Sequence, residues 1–504
     1  RANRGIQPES IISETNSNRH TYTLYIYYIH TEMSIILIKA LQLILCLSLL
    51  VILHELGHFG FSKLFHVKVT RFYLFYNPYF HLFSTRDRWF TRLFPYFKDN
   101  ETEYGIGWVP LGGYVQIAGM VDESMDTEQL KQPAQPWEFR SQKVWKRFFM
   151  MAGGVLMNLL TAWFIYSAVM LTWGRDYIPM QSIKQGFQYN EYAQGLGFRD
   201  GDIPIAADGK DIPEYSGAIY RTISNAETVT VLRDGKEVEV RMPADGLNML
   251  EMLRMVPAFM APISAAVVDS VAPGSAAQKA GIQAGARILA VNGEQINTWN
   301  DFDYKVTLRR QDVLSSEGCS HADSMRMRKM MVVWSSDQGA TQDTASLMLN
   351  EEYLMGVTRQ LPEFDTEHQD YDLLSCIPAG LKRGWKQLSG YINDLQYMAS
   401  ADGVKSVGSF ITIGSIFPSA WDWQQFWLTT AFISIILAVM NLLPIPALDG
   451  GHIFLLMIEA ITGRKPSEKV MQWMEMIGLG ILAILMLIAF SNDVRNFILP
   501  LLGL

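Results

Sequence analysis

The sequence predicts a polytopic α-helical membrane protein with about four transmembrane helices, a membrane-associated β-hairpin or loop, and two tandem α+β domains. Three observations lead to this fold class. Four long apolar runs carry almost no charge, and the mean hydropathy of the 504 residues is +0.08, with 49% hydrophobic residues. Between the second and third runs, residues 174–425 are soluble in character and contain an internal repeat.

The apolar runs have the length of membrane spans. They lie at 35–53, 148–173, 426–443 and 474–490. A helix rises about 1.5 Å per residue, so roughly 20 such residues cross a bilayer core of about 30 Å. Four buried helices of a soluble protein are the alternative, but lengths at or near the spanning threshold favour transmembrane helices.

Charge and cysteine content exclude some function classes. A net charge of −8 and a pI near 5.7 argue against general nucleic-acid binding. The three cysteines form no metal motif. We interpret Cys46 as a small apolar helix residue, whereas Cys319 and Cys376 could pair if their domain faces an oxidising space.

The first 32 residues differ in character from the rest of the chain. Residues 1–32 are polar, Tyr-rich and without periodicity, and Met33 lies just before the first apolar run. We therefore expect 1–32 to be a disordered or non-native extension. The run at 35–53 lacks a small-residue cleavage site, so we expect it to be retained.

Basic residues predict the orientation of the helices. They cluster at three helix ends, at 63–71, 143–147 and 464–469. The positive-inside rule places these loops in the cytoplasm and leaves 174–425 on the outer side. The predicted location is the bacterial cytoplasmic (inner) membrane, with the end of the first helix that carries His54 towards the cytoplasm.

These features predict a linear order of segments. In chain order we expect an extension at 1–32, a first transmembrane helix at 33–62, a cytoplasmic-side region at 63–146 with a re-entrant β-loop at 104–119, a second transmembrane helix at 147–173, soluble domains at 174–252 and 253–360, an amphipathic linker at 361–424, a third transmembrane helix at 425–452, and a segment at 453–504 that contains the fourth.

The loop at 104–119 reads YGIGWVPLGGYVQIAG. Gly and Pro interrupt its short apolar and aromatic runs, which is typical of a hairpin or looped strands. Such an apolar loop beside a membrane site is expected to be partly immersed, where protein or a cavity satisfies its backbone. An ordinary surface hairpin is the alternative.

Two related stretches lie in the soluble region. The first begins at Ala193 with AQGLGFRDGDIPIAADGKDI, and the second, SVAPGSAAQKAGIQAGARILAVNGEQI, ends at Ile296. Both resemble the part of a PDZ domain in which a short helix, a Gly turn and a strand lead to a tight turn. The string GLGF at 195–198 lies in the helix-to-turn part of its copy, so we do not assign it peptide-carboxylate binding.

His54, Glu55 and His58 form H-E-x-x-H at the end of the first apolar run. On a helix, residues i and i+4 project from one face, so both imidazoles can bind one zinc ion at about 2.0–2.1 Å. Glu55 can serve as general base towards water activated by the metal. A catalytic site also needs a third protein ligand and an open position. A histidine pair held by backbone or headgroups is the alternative.

The third ligand is expected at the end of the third apolar run, which reads MNLLPIPALDGGH from Met440. Asp449 lies at the correct end of a membrane segment. Pro444 and Pro446 prevent a regular helix, and the glycines at 450–451 permit a tight turn that could aim the carboxylate at the metal. His452 competes with Asp449 for this role.

Other polar residues rank lower as site candidates. Asn441 is an amide in an apolar span and needs a partner, either structural or a substrate backbone. We interpret His66 and His81 as ordinary loop residues. Glu459 and Glu475 are interpreted as interfacial or helix-end charges.

With H-E-L-G-H, the loop at 104–119, the tandem repeats and N-L-L-P-I-P-A-L-D-G-G in this order, residues 33–504 resemble the site-2 protease family. Within it they look most like the bacterial branch that regulates sigma-E. The resemblance implies an intramembrane zinc metalloprotease with one Zn²⁺ per chain. His54, His58 and Asp449 would be the ligands and Glu55 the base. A longer polar excursion around 310–350 departs from the family pattern.

The resemblance also implies partners. Substrates would be single-span membrane proteins, such as anti-sigma factors, and remnant signal peptides. A substrate strand would pair with the loop at 104–119, so Gly105, Gly107, Asn441 and Pro444 are the expected substrate-binding residues. The PDZ-like pair would act as a size filter on the periplasmic side.

Two other functions compete with this one. A membrane-anchored PDZ adaptor with a structural metal site would hold its substrates without cutting them. A membrane-anchored zinc protease that cuts soluble chains would explain H-E-x-x-H equally well. It would not explain the delivery of Asp449 from a membrane span.

Overall fold

The computed structural model describes residues 8–499 apart from 110–111, 121–132, 244–245, 248, 307–320, 337–340, 351–352, 363 and 399–407. The chain divides into two compact units. The membrane unit comprises Arg1–Gly174 and Asp370–Leu504, and the insert unit comprises Arg175–Gln369.

The described helices are numbered in chain order. They are α1 (Pro8–Leu64), α2 (Arg88–Leu93), α3 (Val144–Trp173), α4 (Glu191–Gly195), α5 (Ala218–Ser224), α6 (Met249–Arg254), α7 (Ala276–Lys279), α8 (299–306), α9 (His321–Arg328), α10 (Cys376–Met398), α11 (Phe410–Ser415), α12 (Trp423–Leu442), α13 (Asp449–Thr462) and α14 (Glu468–Asp493).

The described strands are numbered in the same way. They are β1 (Val69–Leu74), β2 (Phe83–Ser84), β3 (Glu103–Ile106), β4 (Tyr114–Ile117), β5 (Arg175–Pro179), β6 (Phe187–Tyr189), β7 (Ile203–Ala207), β8 (Lys210–Asp211), β9 (Glu214–Tyr215), β10 (Thr228–Arg233), β11 (Lys236–Arg241), β12 (Met260–Pro262), β13 (Val268–Val271), β14 (Arg287–Val291), β15 (Glu294–Gln295), β16 (Lys329–Ser335), β17 (Asp343–Met348), β18 (Val357–Arg359) and β19 (Glu367–Gln369).

Four helices in the described part of the chain are long and apolar enough to cross a membrane. They cover Met33–Leu64, Val144–Trp173, Trp423–Leu442 and Lys469–Asn496. The four spans predicted from the sequence are therefore confirmed. The helix that contains the first of them begins at Pro8, so the backbone of residues 8–32 is helical where disorder was expected.

Glycines and apolar residues bring α1 against α3. A Cβ on Gly153 would lie 2.6 Å from the carbonyl oxygen of Gly57, so the two helices touch through backbone. Cys46 and Leu50 of α1 are fully buried in a neighbouring apolar cluster, which agrees with the apolar role predicted for Cys46. Cys376 is a buried free cysteine, and Cys319 lies outside the described residues.

A four-stranded sheet of order β2-β3-β1-β4 follows α1. β3 runs parallel to β1, and β4 runs antiparallel to β1 on its other side. Of the two alternatives predicted for 104–119, the structure has looped strands and not a hairpin, because β1 lies between the two strands. β4 is an edge strand, whereas β3 is enclosed by β1 and β2.

The predicted amphipathic linker contains a helix that packs on a membrane span. α10 runs along α3, and a Cβ on Gly380 would clash with Ser167 while one on Gly384 would clash with Trp163. The two small residues, four apart, permit this close contact. α10 is thus fixed to the span rather than lying alone at a membrane surface.

The insert unit contains two copies of one arrangement. In the first copy, α4 leads through a positive-φ Gly201 to β7 and β8, and the strands pair in the order β11-β10-β7-β8. In the second copy, α7 leads through a positive-φ Gly285 to β14 and β15, in the order β15-β14-β16-β17. The repeat read from the sequence is therefore a structural repeat.

Each copy has its own apolar core. Phe187, Phe198 and Phe259 are among the buried residues of the first core. Trp299 and Trp334 are among those of the second. Phe198, the last residue of the GLGF string, is thus a core residue, which agrees with our decision not to assign that string to ligand binding.

Candidate metal centre

The last turns of α1 present two imidazoles to one point. His54 and His58 lie four residues apart on the helix, and their Nε2 atoms are 3.2 Å from each other. His58 is buried, with 7% of its surface exposed. The helical spacing seen in the sequence therefore brings both rings together as predicted.

Asp449 is delivered to the same point by a break between two helices. α12 ends at Leu442 and α13 begins at Asp449, with Pro444 and Pro446 in the irregular segment between them. The Asp449 Oδ2 atom lies 3.3 Å from His54 Nε2 and 3.4 Å from His58 Nε2. Of the described residues, these three form the one group that could hold a metal ion.

The spacing of the three donor atoms fits zinc. In a tetrahedral site the distance between two ligands is about 1.6 times the metal–ligand bond, or about 3.3–3.4 Å for bonds near 2.0–2.1 Å. The donors lie 3.2, 3.3 and 3.4 Å apart. Asp449 Oδ2 is buried without a hydrogen-bond partner among the described residues. Two imidazoles and a carboxylate are also a typical zinc donor set, so the residues fit the ion.

The glycines after Asp449 have a role that differs from the predicted turn. Both lie in the first turn of α13. A Cβ on Gly451 would lie 2.6 Å from the carbonyl oxygen of Ile445, and one on Gly450 would clash with the backbone of Leu442 and Leu443. The glycines therefore let the irregular segment fold closely over the start of the helix.

A backbone carbonyl fixes the hydrogen position on His58. His58 Nδ1 lies 2.8 Å from the carbonyl oxygen of Met150 in α3. A carbonyl can only accept, so Nδ1 carries the hydrogen and Nε2 keeps its lone pair. That lone pair is the one directed at Asp449 and His54, as a metal ligand requires.

Asn158 of α3 lies against His54 as Met150 lies against His58. Its amide nitrogen lies 3.1 Å from His54 Nδ1. Its Oδ1 atom is buried and has no hydrogen-bond partner in the described part of the chain. Turning the amide by 180° would let the oxygen accept the Nδ1 hydrogen and would leave His54 Nε2 available for a metal.

Gly154 is a site residue that our sequence analysis missed. A Cβ at this position would lie 2.5 Å from His58 Nε2 and would also clash with the ring of His54. Only glycine leaves room for both imidazoles against α3. The signal in the sequence was the pair Gly153-Gly154, four residues before Asn158 in an apolar span.

Glu55 lies beside the donors in a large cavity. The cavity has a volume of about 890 Å³, and its lining includes Glu55, the three donors and all of β4. The backbone of Val115 in β4 hydrogen-bonds with Glu55. The predicted base is therefore held by the edge strand that flanks the cavity.

The predicted substrate-binding residues divide into two groups. Asn441 lines the cavity, with Nδ2 3.4 Å from His54 Nε2. Pro444 lies in the irregular segment but is not among the cavity-lining residues. Gly105 lies in β3, which is paired on both sides, and a Cβ there would clash with Tyr73. Gly107 packs in the same way against the backbone of Tyr76.

The lower-ranked histidines and acids have other partners. His452 lines the cavity, but its Nε2 lies 3.8 Å from Glu475 Oε2, and the metal group contains Asp449 instead. Glu475 is 4% exposed and Glu459 is 5% exposed. Glu459 lies in the last turn of α13, which agrees with its interpretation as a helix-end charge, but both side chains are buried.

Two of these groups have partners away from the metal donors, Glu459 in an ion pair and His81 in a hydrogen bond. Glu459 pairs with the equally buried Arg147 at 2.5 Å, and His81 pairs with Asp87 at 2.9 Å. The Arg147–Glu459 pair satisfies two charges that would otherwise be costly to bury. Glu459 is therefore not an isolated charge.

Comparisons with known proteins agree with this geometry. The sequence profile of peptidase family M50 matches residues 42–485. The regulator of sigma-E protease RseP of Salmonella typhimurium strain 14028s is 28% identical over 89% of this chain and 97% of that protein. A protein of Xylella fastidiosa strain Temecula1, provisionally named a zinc metalloprotease, is 26% identical over 90% and 97%.

A third relative, protease RseP of Yersinia pestis, is 27% identical over 89% of this chain and 97% of that protein. The family match at 42–485 includes the H-E-x-x-H motif, the insert unit and Asp449. The chain therefore has both a family match over most of its length and a group of two histidines and one aspartate that could hold a metal ion. The chain thus belongs to peptidase family M50 and is a zinc metalloprotease with several membrane-spanning helices.

Proposed function

We propose that this protein is an intramembrane protease that cuts peptide bonds in or near the transmembrane segments of single-span membrane proteins. The observation that carries the proposal is the position of the three donors. His54 and His58 lie within the candidate span Met33–Leu64, Asp449 follows the break after the span Trp423–Leu442, and all three line one cavity. A peptidase that acted only on soluble chains would have no need to take its third ligand from the end of a membrane helix.

His54, His58 and Asp449 are the proposed ligands of one Zn²⁺. When bound, zinc supplies Lewis-acid activation of water and of the scissile carbonyl. The carbonyl of Met150 keeps the hydrogen of His58 on Nδ1, and an Asn158 amide turned by 180° would do the same for His54; both support binding through Nε2. The donor spacings support a tetrahedral site with one position left for the reaction.

Glu55 is the proposed general base. It takes a proton from the attacking water, and the water oxygen forms a bond to the scissile carbonyl carbon. The C–N bond then breaks, and Glu55 returns the proton to the leaving amine. The products are a new carboxyl terminus and a new amino terminus. The hydrogen bond from Val115 supports a fixed position for the carboxylate.

β4 is the proposed binding edge for the substrate backbone. A transmembrane substrate must unwind before cleavage because its amides are paired within its own helix. The unwound segment can add to a free sheet edge by main-chain hydrogen bonds. β4 has such an edge and lines the cavity, whereas β3 with Gly105 is enclosed. Asn441 is proposed to hydrogen-bond with the substrate backbone beside the metal.

The proposed location and natural substrates follow from the resemblance to the site-2 protease family. We propose a bacterial inner membrane location, a cytoplasmic-side active site, and regulated proteolysis of anti-sigma factors and remnant signal peptides. The two copies of the insert unit are proposed to be PDZ-like domains in the periplasm that filter substrates by size. The name of the Salmonella relative, a regulator of sigma-E protease, supports this assignment.

The test compares the wild-type protein with Glu55→Gln. Each is reconstituted in nanodiscs with a single-span model substrate, and the products are mapped by mass spectrometry. We expect cleavage within or next to the span by the wild type and none by Glu55→Gln, with one zinc per chain in both by elemental analysis. Cleavage by the variant at the wild-type rate would overturn the role of Glu55.

The same experiment separates the competing functions. A PDZ adaptor with a structural metal would bind the substrate without cutting it in either form. A protease for soluble chains would cut only outside the substrate's span and would accept the soluble part alone. Comparative proteomics of membranes with wild-type or Glu55→Gln protein would then identify the natural substrates as truncated proteins that accumulate.

A further inference from the structure

Residues 79–98, between β1 and β3, form a surface that we call the aromatic insertion. Its large apolar side chains are unusually exposed, with Tyr79 at 101%, Tyr96 at 81% and Leu93 at 67% of their full surface. Trp89 is also more than half exposed. Several exposed large apolar side chains within one segment are typical of interaction sites.

The exposed side chains are held by an inner cluster of rings. Phe83 and Phe90 have ring centroids 5.0 Å apart, and Phe90 lies 5.4 Å from Phe97. These three rings are half-buried against one another. The outer rings therefore project from a packed base, and their exposure is a feature of the folded segment.

Basic residues alternate with the exposed rings. Arg88 and Arg92 lie four residues apart on α2, and Trp89 and Leu93 lie four apart on the adjacent face. Arg88, Arg92 and Lys98 are exposed and have no acidic ion-pair partner among the described residues. Rings that enter the headgroup region, with basic side chains that reach phosphates, are typical of interfacial segments.

The insertion projects from a sheet that packs on a membrane span. Lys63, near the end of the first span, pairs with Glu101 at 2.8 Å, and the ring of Phe59 lies 6.1 Å from Tyr104 of β3. The apolar surface of the insertion is thus close in sequence and in structure to the end of a bilayer-spanning helix. A bilayer surface is the partner that this position provides.

We propose that the aromatic insertion is an interfacial anchor that binds anionic phospholipid. Trp89, Leu93 and Tyr96 enter the headgroup region, and Arg88, Arg92 and Lys98 bind lipid phosphates. In the order β2-β3-β1-β4, the insertion contains one edge strand, β2, and β4 forms the other edge. The anchor therefore holds β4 at a fixed depth relative to the bilayer.

This proposal rests on the membrane spans and not on the peptidase assignment, so its test uses the full-length Glu55→Gln protein. The protein is reconstituted in nanodiscs of phosphatidylcholine alone or with added phosphatidylglycerol. Hydrogen exchange of residues 79–98 is measured in both. A photoreactive phosphatidylglycerol with its reactive group near the headgroup then identifies the contacted residues by mass spectrometry.

We expect slower exchange of the insertion in the anionic discs and cross-links within 79–98. Each basic residue near an anionic surface is worth about a fivefold change in binding. Arg88→Gln with Arg92→Gln should therefore lower the cross-link yield several-fold and remove the effect of anionic lipid on exchange. Trp89→Ser with Leu93→Ser should speed exchange in both lipid compositions.

The matched control is Lys210→Gln with Lys236→Gln, which removes two exposed charges from the insert unit and should change neither measurement. Equal exchange in the two compositions, with no headgroup cross-links in 79–98, would overturn the proposal. Protection that appears only when discs hold two protein copies would overturn it too, since a second copy would then cover the surface.

Discussion

The cavity has two sides, one that presents side chains and one that presents backbone groups. On the side that we call the metal side, His54, His58 and Asp449 act through side chains held by α1, α3 and α13. On the side that we call the strand side, β4 offers backbone groups along a free edge. A metal requires specific donor atoms at fixed distances, whereas a substrate strand of varied sequence requires only main-chain partners.

The difference predicts how each side responds to substitution. A single atom added to the metal side meets backbone or imidazole, because α3 lies in contact with α1. The strand side faces an open cavity and can accept different side chains. We therefore expect a single substitution on the metal side to remove most of the activity, and a single substitution on the strand side to lower it by a small amount.

The largest effect is expected for Asp449→Asn. The amide removes the charge of the proposed third ligand, so zinc content should fall well below one per chain and cleavage by at least about a thousandfold. Elemental analysis and product mapping check both. His452→Asn is the control, since His452 lines the same cavity but faces Glu475. If His452→Asn loses zinc and Asp449→Asn keeps it, the ligand assignment is reversed.

The next effect is expected for Gly154→Ala. The added Cβ would meet both imidazoles, so zinc affinity should fall about 10- to 100-fold, as is typical when the groups that orient metal ligands are disturbed. Competition with a chelator measures this directly. Gly60→Ala lies in α1 where a Cβ meets nothing within 4 Å and should bind zinc as the wild type does. Equal affinities for the two variants would contradict the close packing.

The sequence predicted the metal side because its signal is local. H-E-x-x-H needs only the helical repeat, and Asp449 follows two prolines that end a span. Asn158 and Gly154 could not be assigned in the same way, since their roles depend on which face of α3 meets α1. Four apolar runs likewise predicted four spans, because length and composition suffice for that inference.

The strand side was predicted less well for a physical reason. Gly and Pro interrupt the apolar runs of residues 104–119, which is typical of a hairpin or looped strands, and a hairpin is the simplest pairing for two nearby strands. In the structure β1 enters between them from residues 69–74, a contact that no local pattern encodes. The strand with a free edge at the cavity is therefore β4, whereas substrate binding had been expected at Gly105 in β3. Buried pairs such as Arg147 with Glu459 are equally non-local.

A smaller effect is expected when the strand side loses single backbone hydrogen bonds. A peptide that spans the cleavage site can be N-methylated at alternate residues. Methylation of the amides that face β4 should weaken inhibition about tenfold per amide, the approximate value of one hydrogen bond of about 1–1.5 kcal/mol. Methylation shifted by one residue faces away from β4 and should change inhibition little. Equal losses in both registers would exclude strand addition.

The smallest effect concerns the sheet itself and is a pH dependence. Glu103 accepts hydrogen bonds from Tyr73 Oη at 2.6 Å and Ser84 Oγ at 2.7 Å, which joins β1, β2 and β3. Burial alone would raise the pKa of Glu103, but these bonds and the charges of Arg71 and Arg86 lower it below the ordinary 4.5. Because the pKa of Glu103 is lower in the folded protein, its ionised form stabilises the fold at pH values above the pKa of the unfolded chain. This stabilisation is lost as the pH falls through the pKa of the folded protein.

Hydrogen exchange in the Glu55→Gln protein can measure this. In the sheet, exchange of residues 69–117 should quicken as the pH falls below about 4.5, after correction for the intrinsic rate. Glu103→Gln should show faster exchange already at neutral pH and a flatter pH profile, because it lacks the titrating group. The residues around His54 and His58 in α1 should not follow the same profile. If α1 and the sheet lose protection together, the metal side and the strand side unfold as one unit and are not independent.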